Sequence, residues 1–216
     1  MDVVIENSES NLIGEDAAKL YKVRKNALKM LNDRGYFVND DQIENLEDFI
    51  AKYKFRHELA LSGIKINTEP EQSIVVDFIQ KKENDKISVQ NLMGFASKIY
   101  DMNITHGIYV SQGTLTNTAK EKINEMAEKQ FYIEFFDEND LIVNITEHEL
   151  VPKHVILNKT EEGELLQKYR LHRNQLPKIL LNDPISKYVG LRRNDIVKII
   201  RPSETAGKYV TYRIAI

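Results

Sequence analysis

The hydrophobic positions at the start of the chain follow a helical period. Apolar side chains recur there at spacings of three and four residues, which predicts a helix over residues 15–33 with Gly35 placed to end it. The residues that form this apolar stripe are Leu20, Val23, Ala27, Leu28 and Leu31. A shorter helix is predicted over residues 46–53, with Asn45 as its N-cap. Its apolar side comprises Leu46, Phe49, Ile50 and Tyr53. Residues 56–72 show no clear period and are expected to be rich in loops.

Strand and helix patterns alternate from residue 73 onward. Runs rich in β-branched and aromatic residues predict strands over residues 73–80, 107–111, 131–136 and 141–145. Ser88 is placed to cap a helix between the first two strands, and Thr118 and Glu121 form a T-x-x-E capping box that opens the next helix. The side chains expected to face inward from these two helices are Val89, Leu92, Met93, Ala96, Ile99, Ile123, Met126 and Ala127. Such alternation predicts an α/β domain with a largely parallel sheet.

The last third of the chain has the pattern of a small α+β unit. Thr160 can cap a helix whose apolar side carries Leu165, Leu166 and Tyr169. Asp183-Pro184 and Gly190 bracket a second, short helix, because proline suits the first helical position and glycine the stop. Two strands are predicted over residues 196–201 and 208–216, with Gly207 in the turn between them. The change of pattern near residues 143–148 predicts two domains, 1–143 and 144–216.

Composition places the chain among globular proteins. Its 216 residues are 42% hydrophobic and 29% charged, which is enough to bury a core. The chain contains no cysteine, and it has neither an apolar run long enough to span a membrane nor the basic and then apolar start of a signal peptide. We therefore expect a soluble intracellular protein without disulfides.

Charge is unevenly distributed along the chain. The formal net charge is −3, yet residues 168–216 contain 11 Lys and Arg against 3 Asp and Glu. A basic segment of this kind suits contact with nucleic acid or with an acidic protein surface. Lys198 and Arg201 would lie on opposite faces of one strand, so the basic side chains do not form a single stripe. Protein contact therefore explains the charge about as well as nucleic acid does.

Motifs of catalysis are sparse. The glycine patterns of nucleotide-binding loops and hydrolase elbows are absent, and the five histidines lack the spacing of a zinc site. The remaining catalytic hypothesis is a metal-dependent nuclease, which needs paired carboxylates and a lysine on adjacent strands. Asp77 and Lys81 suit two of those positions, but Ile79 stands where the second acid is required. The sequence predicts no metal and no cofactor.

The C-terminal domain resembles a known family. Its ordered short strings run from His148-Glu-Leu-Val-Pro152-Lys-His154 to Val197-Lys-Ile-Ile-Arg201-Pro-Ser-Glu-Thr-Ala-Gly207, with Gln175-Leu-Pro177 between them. They resemble the fifth shared subunit of eukaryotic RNA polymerases I, II and III. The archaeal RNA polymerase counterpart of that subunit corresponds to this domain alone.

The first 143 residues resemble the jaw domain of the same subunit more sparsely. The matching strings are Asp33-Arg-Gly-Tyr-Phe-Val38, Leu46-Glu-Asp-Phe49 and Gly107-Ile-Tyr-Val110. The family's jaw is similar to a nuclease or resolvase core without its metal carboxylates. One departure is Asn117, which stands where the family commonly has proline in the loop near downstream DNA.

The resemblance implies a non-catalytic polymerase subunit in the nucleus, or in the cytoplasm or virion if a large DNA virus encodes it. Its C-terminal domain would dock on the largest polymerase subunit, and its jaw would make a weak contact with downstream duplex DNA, with no membrane involved. The residues expected near DNA are Thr116, Asn117, Thr118 and Lys120. The residues expected at the subunit interface are His148, Pro152, His154, Arg192, Arg201, Ser203, Glu204, Tyr212 and Arg213. A nuclease remains the alternative.

Overall fold

The chain folds into two compact units that divide between Val143 and Asn144. A computed structural model describes residues 15–39, 43, 45–65, 72–80, 86–203 and 207–216. No helix within those ranges is both long enough and apolar enough to cross a membrane.

The first unit combines one sheet with flanking helices. Its described helices are α1 (Glu15–Asp33), α2 (Leu46–Lys52), α3 (Val89–Asp101), α4 (Asn117–Glu128) and α5 (Glu138–Ile142), with a 3-10 turn at Arg56–Leu59. The described strands are β1 (Phe37–Val38), β2 (Leu61–Lys65), β3 (Gln72–Ile79), β4 (His106–Ser111) and β5 (Tyr132–Asp137). They are ordered β1-β2-β3-β4-β5 across the sheet.

This sheet is mixed, which corrects the prediction of a largely parallel one. Strands β3, β4 and β5 are parallel, but β1 and β2 join the β3 edge in antiparallel pairing. Strand β2 lies within residues 56–72, where the sequence predicts loop. Its burial alternates over only a few residues, with Leu61 and Gly63 inside and Ser62 outside. So short an alternation, with glycine as one inward residue, gives a weak strand signal.

The core of the first unit lies between the sheet and α3. Leu92, Phe95 and Ile99 pack against Tyr109 and Ile133 of the two parallel strands. Every residue of β4 is buried, as expected for a strand covered on both faces. Three side chains predicted to face inward are instead exposed: Met93 at 42%, Leu46 at 36% and Ile50 at 44%.

Helix α1 forms a second buried contact in this unit. Leu20, Val23, Ala27 and Leu31 of the predicted stripe are completely buried, whereas Leu28 is half-buried. Gly35 then adopts a φ of +82°, a conformation that glycine reaches without strain.

Within the residues that the structure describes, the second unit contains a four-stranded sheet and two α-helices. Its described strands are β6 (Lys153–Ile156), β7 (Lys178–Ile179), β8 (Ile196–Ser203) and β9 (Gly207–Ala215), in the order β6-β8-β9-β7. Its helices are α6 (Lys159–Tyr169) and α7 (Pro184–Val189). Alternate residues of β8 and β9 feed two hydrophobic clusters: Ile196 and Ile214 join one, and Val197 and Ala215 join the other. The sheet is therefore covered on both faces.

Three local predictions in the middle of the chain are wrong. Residues 141–145 are not a strand, because α5 begins after Asp137, whose carboxylate accepts a hydrogen bond from the Asn139 N–H at 2.8 Å. The N-cap of α4 is Thr116 rather than Thr118. The N-cap of α6 is Asn158 rather than Thr160, and it forms a capping box with Glu161. In each case an earlier oxygen-bearing side chain starts the helix, and several such side chains in succession leave the start ambiguous from sequence.

We predict that Gly107→Ala destabilises the protein while Gly94→Ala does not. A Cβ at position 107 would lie 2.7 Å from Cδ1 of Ile99 and 2.8 Å from Cζ of Phe95, both packed in the core, whereas one at position 94 would meet nothing within 4 Å. Overpacking should cost about 1–3 kcal/mol of unfolding free energy. Alanine in the exposed helix interior should add about 0.5–1 kcal/mol. Urea denaturation measures both, and equal stability of the two variants would contradict the packing argument.

Candidate nucleic-acid contact and subunit interface

The four residues predicted to lie near DNA share the first turn of α4. The Thr116 Oγ1 accepts a hydrogen bond from the Ala119 N–H at 3.3 Å and lies 3.2 Å from the Thr118 Oγ1. The Thr116 Oγ1 also donates to the Ile87 carbonyl, which fixes the loop before the helix. Asn117, Thr118 and Lys120 are exposed, and Thr116 is half-buried.

This turn has the chemistry of a weak phosphate contact. The free N–H groups and dipole of a helix N-terminus attract anions, and Lys120 adds a positive charge beside them. The Thr118 hydroxyl is not the helix cap, so it is more accessible than the sequence predicted. Residues 1–143 contain 17 Lys and Arg against 25 Asp and Glu. The net negative charge of this domain repels phosphate and so opposes the contact.

The second unit gathers several predicted interface residues on one face of its sheet. Arg201 and Ser203 pair with Tyr209 and Gly207, and residues directly opposite in antiparallel strands share a face. Arg213 lies four residues after Tyr209 on β9, so its side chain is on that same face. His154 of β6 pairs with Ile199 and joins them. Tyr212 lies on the other face, where it packs against the cluster that contains Ile214.

Aromatic contacts position two of these side chains. The Arg201 guanidinium lies 4.5 Å from the centre of the Tyr209 ring, a cation–π arrangement that keeps the charge exposed. The Tyr212 ring lies 6.3 Å from that of Tyr169 on α6. Tyr212 is therefore a packing residue as well as a candidate contact.

The two histidines near the start of this unit differ in environment. His148 is exposed, and its Nδ1 accepts a hydrogen bond from the Leu150 N–H at 3.2 Å. His154 is half-buried, and its Nδ1 donates to the Pro152 carbonyl at 2.8 Å. Burial lowers the pKa of His154, with the nearby Arg213 charge acting in the same direction, although the Pro152 carbonyl and Asp183 oppose the shift. His154 is therefore neutral at physiological pH and serves to order the start of β6.

Of the remaining predicted interface residues, Arg192 lies in the loop between α7 and β8. Arg192 is half-buried, and its backbone N–H donates to the Asp195 carboxylate at 2.8 Å. Burial raises the pKa of Asp195 even though that hydrogen bond and nearby cations act to lower it. Glu204 lies outside the described residues, as does Lys81 of the nuclease hypothesis.

Asp77 is engaged in a structural ion pair. Its carboxylate lies in β3, is almost fully buried, and accepts a hydrogen bond from the Lys98 Nζ at 2.5 Å. Burial, together with the Asp77 charge, raises the pKa of the neighbouring Tyr109 to about 12. Across the described ranges, no cluster of three or more His, Cys, Asp or Glu is arranged to hold a metal ion.

A buried polar network in the first unit was not predicted. Arg34 donates two hydrogen bonds to Glu134 at 2.9 and 2.7 Å, His106 lies 2.7 Å from the same carboxylate, and Tyr36 contacts His106. Burial by itself would raise the pKa of Glu134, but the charges of Arg34 and His106 and their hydrogen bonds lower it overall. The period of two along β5 puts Glu134 on the same face as Tyr132 and Phe136. An acidic residue between two aromatic ones on a strand face is the sequence signal that could have indicated a partner for Glu134.

A second carboxylate held by cations, Glu138, begins α5. It is fully buried, pairs with Arg56, and lies 3.4 Å from the Lys19 Nζ and 2.9 Å from the Gln112 Nε2. These contacts connect α1, the 3-10 turn and the loop after β4. Like Glu134, this carboxylate is already engaged by cations, which suits a structural role.

Comparison with known proteins identifies the family. The family model described as RNA polymerase Rpb5, N-terminal domain, matches residues 14–99, and that of RNA polymerase Rpb5, C-terminal domain, matches residues 143–215. The chain belongs to the Rpb5 family. This membership confirms the resemblance read from the sequence and a two-domain architecture with mixed α/β content, and it does not support the nuclease alternative.

Relatives that match nearly the whole of this chain share the name of one polymerase subunit. The chain is 42% identical over 206 residues to the DNA-directed RNA polymerases I, II, and III subunit RPABC1 of Caenorhabditis elegans, covering 92% of this chain and 96% of that one. It is 39% identical over 204 residues to the protein of the same name in Dictyostelium discoideum, covering 94% and 100%.

The structural comparison is much weaker. The MspJI restriction endonuclease in complex with a 27-mer oligonucleotide has a TM-score of 0.36 and 13% identity, and the match covers 60% of this chain and 27% of that one. A likeness of that extent indicates neither a shared fold nor a shared activity.

We predict that Thr116→Ala and Thr118→Ala affect stability differently. The first variant removes the hydroxyl that caps α4, so the free energy of unfolding should fall by about 1 kcal/mol. The second removes an exposed hydroxyl whose neighbour is Thr116, and its effect should be within about 0.5 kcal/mol. Chemical denaturation of the purified chains measures the difference, and a larger loss from the Thr118 variant would reverse the assignment of the cap.

Proposed function

We propose that this chain is a non-catalytic subunit shared by DNA-directed RNA polymerases I, II and III in the nucleus of a eukaryote. The observation that carries the proposal is the 42% identity to a subunit of that name over nearly the whole of both chains. Matches to both domain models of the family support it. The engagement of Asp77, Glu134 and Glu138 with cationic side chains is consistent with a structural role for these carboxylates.

The second unit is the part that docks on the largest polymerase subunit. Support comes from the face that carries His154, Arg201, Ser203 and Arg213, where exposed basic charge adjoins the Tyr209 ring. Arginine and tyrosine are favoured at protein interfaces because each combines apolar area with directional hydrogen bonding. We include His148, Pro152, Arg192, Glu204 and Tyr212 in the same proposed interface.

We predict that Arg201→Glu weakens assembly without unfolding the chain. Arg201 is exposed, so the reversal of charge should leave the circular dichroism unchanged while placing an acid where a cation meets the partner. A tagged wild-type chain should co-purify with the subunits of all three polymerases, and the variant should recover at least about tenfold less of them.

Lys168→Glu is the matched control, because it reverses an exposed charge on α6 outside the proposed interface. The docking assignment is wrong if a folded Arg201 variant recovers as much polymerase as this control does. The function itself is wrong if the wild-type chain recovers no polymerase subunits.

The first unit contacts duplex DNA downstream of the polymerase through the first turn of α4. The exposed Thr118 hydroxyl, the Lys120 ammonium and the free N–H groups of the helix start are the groups that can meet a phosphate. The net acidic charge of this domain keeps the contact weak. It guides DNA that the rest of the enzyme already holds, and repulsion limits adhesion to other nucleic acid.

We predict that residues 1–143 alone bind duplex DNA only at low salt. Few phosphates are neutralised, so the affinity should be weaker than about 10⁻⁴ M at physiological salt. Fluorescence anisotropy across a salt series measures it, and Lys120→Ala should reduce the salt slope by about 1. Tight binding at physiological salt would refute the guiding role, and an unchanged slope would exclude Lys120 from the contact.

A further inference from the structure

The β8–β9 hairpin extends past the strands that flank it. The two strands pair continuously through eight residue pairs, from Ile196↔Ile214 to Ser203↔Gly207. Strand β6 covers only Val197–Ile200 on one side, and β7 covers only Ile214 and Ala215 on the other. Within the ranges that the structure describes, the outer part of the hairpin therefore has no neighbouring strand.

The direction of the backbone groups on β9 follows from its last residues. The Ile214 N–H donates to the Pro177 carbonyl at 2.8 Å and the Ile216 N–H to the Ile179 carbonyl at 3.0 Å, both on the β7 side. The Ala215 N–H donates the opposite way, to the Asp195 carbonyl at 2.9 Å. Because the direction alternates along a strand, the N–H and C=O groups of the even-numbered residues point away from β8. Those residues are Lys208, Val210 and Tyr212.

The two edges of the hairpin differ in their capacity to accept another strand. On the β8 edge the outward-facing residue beyond β6 is Pro202, which has no N–H to donate. On the β9 edge Lys208 and Val210 keep both backbone groups and are exposed. Proline commonly protects a strand edge against pairing, so this hairpin is closed on one side and open on the other.

We propose that an extended segment of another polymerase subunit adds to the open edge of β9 as a further strand. This proposal rests on the proposed function and specifies how the second unit is held. Main-chain hydrogen bonds to Lys208 and Val210 would supply much of the affinity, and side chains on alternating positions would supply specificity.

The side chains beside the open edge indicate the chemistry of the added segment. Arg201, Lys208 and Arg213 are exposed and basic, and Tyr209 and Val210 are 45% and 38% exposed. An occupant with acidic side chains next to apolar ones complements this surface. The basic groups lie on both faces of the hairpin, so they do not form the single stripe that a phosphate backbone would need.

Hydrogen exchange on the wild-type chain tests the edge directly. In the free chain the amides of Lys208 and Val210 should exchange at least about tenfold faster than those of Tyr209 and Thr211, which are bonded to β8. In the assembled polymerase, exchange is quenched and read residue by residue by electron-transfer fragmentation mass spectrometry. The amides of Lys208 and Val210 should then become at least about tenfold slower than in the free chain.

A backbone variant gives the second test. Val210→Pro removes the N–H that points away from β8 and leaves the hydrogen bonds between β9 and β8 in place. The amount of polymerase recovered with the tagged full chain should therefore fall by at least about tenfold. Val210→Thr keeps the N–H and should lose less than about threefold. Retained slow exchange at Tyr209 and Thr211 shows that the proline variant is folded.

The outcomes separate this inference from the proposed function. If the wild-type chain recovers polymerase but the amides of Lys208 and Val210 stay unprotected, the added strand is refuted while the subunit assignment stands. Equal recovery by the folded proline and threonine variants also refutes it. Protection of the same amides in the free chain by a 20-mer duplex DNA would replace the protein segment with nucleic acid.

Discussion

The regular pairing of β8 with β9 determines how the second unit presents its chemistry. Because eight pairs run without a bulge, each residue of the hairpin has a fixed face and a fixed backbone direction. Arg201 is thereby placed opposite Tyr209, and Ile196 opposite Ile214 in the core. A slip of one residue would move Ile214 and Ala215 out of their clusters, so the core and the proposed contact surface depend on the same register.

The first unit depends on charges that are already satisfied. Glu138 is fully buried and Glu134 partly buried, so each would be costly to desolvate alone, and each is held by cations from distant parts of the chain. Arg34 follows α1, whereas Glu134 lies on β5, so one ion pair joins segments a hundred residues apart. Such pairs specify which elements pack together.

Much of the helical structure could be predicted from sequence, whereas edge strands and several caps could not. The period of α1 and the Asp183-Pro184 and Gly190 pair gave bounds that agree with the structure, since both signals are local. Strand β2 was missed because its pairing with β3 is not a local property. The Thr116 cap was missed because Thr118 offers the same hydroxyl two residues later.

The candidate interface shows the same division between local and distant information. The motif strings supplied its residues and the family, but strand pairing was needed to separate Arg201 and Arg213 from Tyr212. Pro202 has a further consequence for chains that have not yet joined a larger assembly. Since it leaves the described outer part of the hairpin with one receptive edge, two such chains can pair there edge to edge, and the described β8 edge offers no N–H to a third. The described edges of this hairpin therefore lack the two receptive sides that filament growth by repeated strand addition would need.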